Sequence, residues 1–126
     1  SVVESADGPD ALPVVEAIPA GEDFYDFEAR YEIGRTRFVC PADLSPELTL
    51  RAQELALATW NTLGCAGFAR VDLMTDDDDL TVLEANVIPG LTDTSLLPLA
   101  AEAAGIGFDE FVARVLDLAV ARAATA

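Results

Sequence analysis

Apolar positions along this chain change period along its length, and the changes mark out its elements. From Leu48 onward, Leu48, Ala52, Leu55, Ala56, Thr59 and Leu63 recur three and four residues apart, the spacing of one helical face. Ser45-Pro46-Glu47 opens that helix with a capping hydroxyl, a proline in the first turn and an acid at the positive end of the dipole. Gly64 closes it, and Trp60 within it belongs to the core. The period then shortens to two. Phe68 to Met74 and Leu80 to Asn86 read as strands joined by a polar turn from Thr75 to Asp79, which makes an antiparallel hairpin. A loop from Val87 to Asp93 leads to a short helix over Thr94 to Ala104, stopped by Gly105. A last helix begins near Phe108, with Phe108, Phe111, Val112, Val115 and Ala119 on one stripe, and frays at Ala123 to Ala126.

Ahead of the first helix the pattern is shorter. Ser1 to Val3 ends a strand, Asp7-Gly8-Pro9-Asp10 reads as a turn, and Leu12 to Ile18 as a strand with Pro13 at its start or on an edge. Pro19-Ala20-Gly21 opens a loop running to about Tyr31, and Thr36 to Cys40 is a strand ended by Pro41. The fold class is α+β. One domain is expected over residues 1–126, an antiparallel sheet of three or four strands packed on two longer helices.

The hairpin carries the chemistry. Side chains alternate faces along a strand, so Arg70, Asp72 and Met74 share one face, and Val82, Glu84 and Asn86 share one face of the partner. With a turn centred near Asp77 or Asp78, Asp72 stands opposite Glu84. Two carboxylates and an amide oxygen then converge beside a guanidinium. Such hard oxygens suit Mg²⁺ or Mn²⁺, and Mg²⁺ takes its remaining ligands from water and substrate phosphates. On spacing alone, two strands with a wet outer face explain the same residues.

Composition narrows the function classes. Seven arginines and no lysine stand against 23 acidic residues, a net charge of −16. That balance opposes nonspecific binding to nucleic acid or to an anionic membrane surface. Apolar residues make up 52% of the chain, too many for a disordered tail, and no apolar run approaches the ~18 residues of a membrane span. Ser1-Val2-Val3-Glu4 has neither the basic start nor the apolar segment of a signal peptide, so the cytoplasm is the expected compartment. Cys40 and Cys65 lack neighbouring Cys or His, and the chain has no His, so both are expected as free thiols. Asp76 to Asp79 lacks the glycine and spaced glutamate of a calcium loop and reads as a solvated turn.

Arg70-Val71-Asp72, Glu84-Ala85-Asn86, Pro89-Gly90-Leu91-Thr92 and Ser95-Leu96, in this order, resemble the carboxy-terminal motifs of D-alanine–D-alanine ligases, members of the ATP-grasp group. The likeness takes in Phe24-Tyr25-Asp26-Phe27-Glu28-Ala29-Arg30-Tyr31, similar to that family's mobile active-site loop. It also includes Cys40-Pro41-Ala42, Leu63-Gly64-Cys65 and Ala103 to Phe108, so nearly the whole chain is covered. Each motif is weak alone, and their order and spacing together are specific. The resemblance implies an enzyme of three parts, of which this chain matches the carboxy-terminal ATP-grasp subdomain. The glycine-rich phosphate loop, the nucleotide-binding lysines and the first-substrate residues would lie before Ser1. The chain alone is therefore expected to be inactive and to need the rest of the ligase, and the family is commonly dimeric.

Residue roles follow from the resemblance. Asp72, Glu84 and Asn86 match metal ligands, two ions being implied with Glu84 bridging them. Arg70 matches a residue that stabilises the phosphoryl group and the tetrahedral intermediate. Gly90 matches a backbone donor to the developing oxyanion, and glycine permits close approach. Ser95 and Leu96 match the residues holding the second D-alanine's carboxylate at a helix start, where a cap is the ordinary role of Ser95. Tyr25 and Tyr31 match residues that close over ATP and the substrates, Tyr31 being typical of D-alanine users. Arg30 replaces the usual lysine at a phosphate contact. Met74 and Leu83 are read first as core and second as lining of the adenine pocket.

The implied activity is ATP-dependent joining of two D-alanines through an acyl phosphate, in synthesis of the peptidoglycan precursor of the cell wall. Two other readings stay open here: a sister ATP-grasp ligase with another D-amino acid or hydroxy acid, and an acidic metal-binding or interaction domain without catalysis.

Overall fold

The computed structural model describes residues 1–19, 36–76, 78–92 and 94–125. The proposed loop residues Tyr25, Arg30 and Tyr31 lie outside the described residues. The fold is α+β. Strands β1 (Val2–Ser5), β2 (Gly8–Ala11), β5 (Phe68–Asp76) and β6 (Asp79–Asn86) form one antiparallel sheet in the order β2-β1-β5-β6. β3 (Glu16–Pro19) and β4 (Thr36–Val39) pair separately. The helices are α1 (Pro46–Leu63), α2 (Leu96–Ala103) and α3 (Phe108–Thr125).

The amino-terminal stretch departs from its expected form. The turn is Ala6-Asp7, and Gly8-Pro9-Asp10 belongs to β2, paired with β1. A Gly-Pro pair survives in a strand here because β2 is outermost in the sheet, where a proline is tolerated, and because Gly8 takes φ +119 as the chain leaves the turn. The expected strand over Leu12 to Ile18 is shorter, Glu16–Pro19. Leu12 is instead anchored by its N–H bond to the Ser1 carbonyl at 2.9 Å and is buried.

α1 forms as its sequence predicts. Ser45 Oγ accepts from the Leu48 N–H at 3.1 Å, Pro46 occupies the first turn, and Gly64 ends the helix in the left-handed region at φ +64. Leu48, Ala52, Ala56 and Trp60 are buried, whereas Leu63 at the helix end is exposed.

Neighbouring residues of a strand point opposite ways, so β1 and the start of β5 feed a core on each face of the sheet. Val2, Ala69 and Val71 pack with Ala56 and Trp60 of α1. Val3, Leu97, Ala100, Ala101 and Phe111 form the other core, with Phe68 edge-on to Phe111 at 5.9 Å between ring centroids. Both cysteines are free, and burial against this second core pushes the Cys40 thiol up. Of the stripe expected on α3, Phe111 and Val115 reach the core; Phe108, Val112 and Ala119 are exposed. Glu4 ties β1 to α3 and to the residue just before β5. Its Oε2 accepts from the Gly67 N–H at 2.7 Å and lies 3.4 Å from Arg122 Nη1 of α3.

Candidate functional site

The β5–β6 hairpin closes with Asp76 paired to Asp79, and Arg51 Nη1 of α1 donates to the Asp78 carbonyl at 3.0 Å. A regular ladder from that turn would set Asp72 against Leu83 and turn Glu84 toward α1. The register shifts between Asp72 and Leu73, so that Leu73 pairs with Val82 and Asp72 with Glu84. Leu83 is the extra residue, a β-bulge of the kind that re-aims side chains. Its effect is to bring Glu84 and Asn86 onto the face of Asp72 and Arg70 while leaving Val82 and Ala85 on the α1 side. The expected common face of Val82, Glu84 and Asn86 is therefore broken at Val82.

On the polar face, Arg70 pairs in register with Asn86 and Asp72 with Glu84. The Arg70 guanidinium forks onto Asp72, Nε to Oδ1 at 2.6 Å and Nη2 to Oδ2 at 3.0 Å, and Nη2 lies 3.8 Å from Glu84 Oε1. Carboxylates directly opposite one another repel, and the guanidinium offsets that repulsion. The Arg70 and Asp72 side chains are only 15% and 20% exposed, so this pair is less screened than a surface ion pair, whereas Glu84 at 52% faces solvent. Asn86 Oδ1 accepts from the Ile88 N–H at 3.0 Å, which bends the chain out of β6. Among the described residues no three acidic, Cys or His side chains gather as a metal site. The two carboxylates and the Asn86 amide oxygen could serve as hard donors, a set compatible with a cation completed by phosphate oxygens.

Met74 and Leu83 are both exposed rather than in the core. Met74 lies on the polar face by alternation from Asp72, and Leu83 is set apart by the bulge. The loop after β6 exposes Val87, Ile88 and Leu91 around a buried Pro89.

Beyond that loop, α2 starts at Leu96, two residues later than its sequence suggests. Ser95 is the N-cap residue, yet its hydroxyl makes no capping bond. The third helical position is Pro98, which has no N–H to give. Ser95 Oγ turns back instead, accepting from the Thr92 N–H at 3.0 Å and lying 2.9 Å from Thr92 Oγ1. A Cβ placed on Gly90 would sit 2.9 Å from the same oxygen. Gly90, Thr92, Ser95 and Leu96 thus share one small bend. Sequence spacing missed the partnership of Thr92 with Ser95; the Thr-x-x-Ser interval ahead of a proline-blocked cap was the available signal.

Comparison with known proteins is consistent across sequence and structure. A family model described as D-ala D-ala ligase C-terminus matches residues 1–117. The chain is 49% identical over 108 residues to a D-alanine–D-alanine ligase of Nitrosomonas europaea, covering 85% of this chain and 35% of that protein. It is 45% identical to the same-named protein of Syntrophobacter fumaroxidans, covering 87% and 36%. Among solved structures, the D-alanine–D-alanine ligase of Bacillus anthracis complexed with ATP superposes with a TM-score of 0.71 at 35% identity, covering 86% of this chain and 35% of that one. The Coxiella burnetii enzyme gives a TM-score of 0.76 at 28% identity, covering 96% and 30%. The chain spans about a third of the length of the curated relatives it matches.

Proposed function

The chain belongs to the D-ala D-ala ligase C-terminus family, and on that premise we propose that it supplies the phosphate and second-substrate side of an ATP-dependent enzyme joining two D-alanines in the cytoplasm, for the peptidoglycan precursor. The observation that carries this reading is the polar face of the hairpin, where the bulge at Leu83 sets Asp72 against Glu84 with Arg70 forked beside them.

The reaction has two steps. A carboxylate oxygen of the first D-alanine attacks the terminal phosphorus of ATP, and ADP leaves. The amine of the second D-alanine then attacks the acyl carbon and loses a proton, and phosphate departs with the bonding pair. Negative charge accumulates in both steps, so the chain's task is to hold and neutralise it. Arg70, already drawn between two carboxylates, presents a permanently charged fork to the phosphoryl oxygens. Asp72, Glu84 and Asn86 would hold Mg²⁺ or Mn²⁺, two ions being expected, and the bound metal would neutralise phosphate oxygens. The Gly90 N–H serves the oxyanion, and Ser95 with the free amide of Leu96 at the start of α2 takes the second D-alanine's carboxylate. Met74 and Leu83, exposed beside the polar face, contact the nucleotide; Tyr25, Arg30 and Tyr31 close over phosphates and substrates. The remaining two thirds of the ligase chain supplies the opposite wall and covers the exposed apolar residues of the loop after β6.

The test is D-alanine-dependent ATP hydrolysis with Mg²⁺ by the intact ligase that carries this domain. Asp72→Asn and Glu84→Gln should each lower turnover about a hundredfold or more and weaken metal-dependent nucleotide binding. Full activity in both variants removes these residues from the site. Turnover with D-lactate or D-serine but not D-alanine would instead identify a sister ligase.

A further inference from the structure

The bend between β6 and α2 holds three hydroxyls within hydrogen-bond range, of which the proposed reaction uses one. Ser95 Oγ has one proton and two lone pairs. The Thr92 N–H occupies one lone pair at 3.0 Å. Thr92 Oγ1, at 2.9 Å, can either give a proton to Ser95 or take one from it. A carboxylate only accepts, so a Ser95 that binds the second substrate must spend its single proton on that substrate. Thr92 is then left one arrangement: it donates its hydroxyl into the remaining lone pair of Ser95. Thr94 Oγ1, 3.4 Å from Thr92 Oγ1, can donate to Thr92 in turn.

We propose that Thr92 is a positioning residue that fixes Ser95 as a hydrogen-bond donor to the carboxylate of the second amino acid. The inference rests on the assignment of Ser95 given above. Three features converge on it. Pro98 removes the usual capping target, so the hydroxyl is not held by its own helix. Gly90 leaves open the space that Ser95 Oγ occupies. Thr92 grips that oxygen twice, through backbone and side chain. A hydroxyl that accepts two hydrogen bonds is polarised into a stronger donor, and one held in a single rotamer loses less freedom when substrate arrives.

Steady-state kinetics of the intact ligase test this with four variants. Ser95→Ala should raise KM for the second D-alanine about tenfold or more, the loss expected of a bond to a charged group. Thr92→Val, which keeps shape and removes the hydroxyl, should raise the same KM several-fold while leaving KM for ATP and the melting temperature unchanged. Thr92→Ser should restore it to within about twofold. In the Ser95→Ala background Thr92→Val should add nothing, because it acts through Ser95. A Thr92→Val enzyme with unchanged KM, a Thr92→Ser enzyme no better than Thr92→Val, or additive effects in the double variant would each overturn the role of Thr92. A silent Ser95→Ala would remove the second-substrate assignment of Ser95 itself, and the role of Thr92 with it.

Discussion

At Gly90 the missing side chain matters more than backbone freedom. Its φ lies outside the left-handed region, and the constraint is the Ser95 oxygen that a Cβ would meet at 2.9 Å. That oxygen ends a short side chain that can rotate away, so Gly90→Ala should displace Ser95 from Thr92 rather than disturb the fold. The expected outcome is a melting temperature within a degree or two of the parent, since the residue is exposed, with KM for the second D-alanine raised about as much as by Ser95→Ala, roughly tenfold. Calorimetry beside steady-state kinetics on the intact ligase checks it; a large loss of stability with unchanged KM would make Gly90 a structural turn. The need for a glycine was legible in the Pro-Gly pair, but the atom that imposes it was not. That contact depends on Pro98 denying Ser95 its cap, three residues further on.

Among the elements, α1 and the hairpin were legible because their signals are local: a cap, a period and a turn. Two features were not. The bulge at Leu83 leaves no mark in an alternating pattern, since one extra residue in one strand is visible only against its partner. Glu84 nevertheless ends opposite Asp72 as expected, because the bulge compensates for a turn tighter than the five-residue one read from sequence. On α3, the apolar residues at 108, 111, 112, 115 and 119 form one helical stripe, and periodicity cannot say how much of that stripe has something to pack against. Only Phe111, fully buried against Phe68, Val3 and Leu97, is central to the core; Phe108 remains half exposed. Phe111→Ala should therefore cost about 3–5 kcal/mol and Phe108→Ala under about 1 kcal/mol. Denaturant unfolding of this chain measures both, and equal costs would mean that the stripe packs as a whole.

Seen whole, the chain spans about a third of the length of the relatives it matches, and one face of α3 is unusually apolar. Phe108, Val112, Leu116 and Val120 follow one another at four-residue intervals along α3, and Leu116 and Val120 are each about 60% exposed. Scattered apolar residues need no explanation, but a contiguous line of large ones signals a contact. The relatives carry about two thirds of their length outside the matched region, and a counterpart of that portion is expected to cover this line. The chain as a whole is strongly acidic, 23 acidic residues to seven arginines, and Glu110 and Arg114 pair at 3.0 Å on α3. Placing charge on the line separates the possibilities. In the intact ligase, Leu116→Glu with Val120→Glu should lower the melting temperature by several degrees, because the carboxylates would be buried without partners. In the 126-residue chain by itself, where the line faces water, the same pair should shift it by no more than about two degrees. No change in either would leave α3 facing solvent in the enzyme. A loss that shrinks as protein concentration rises would assign the face to a second copy instead, since stability gained from association follows mass action.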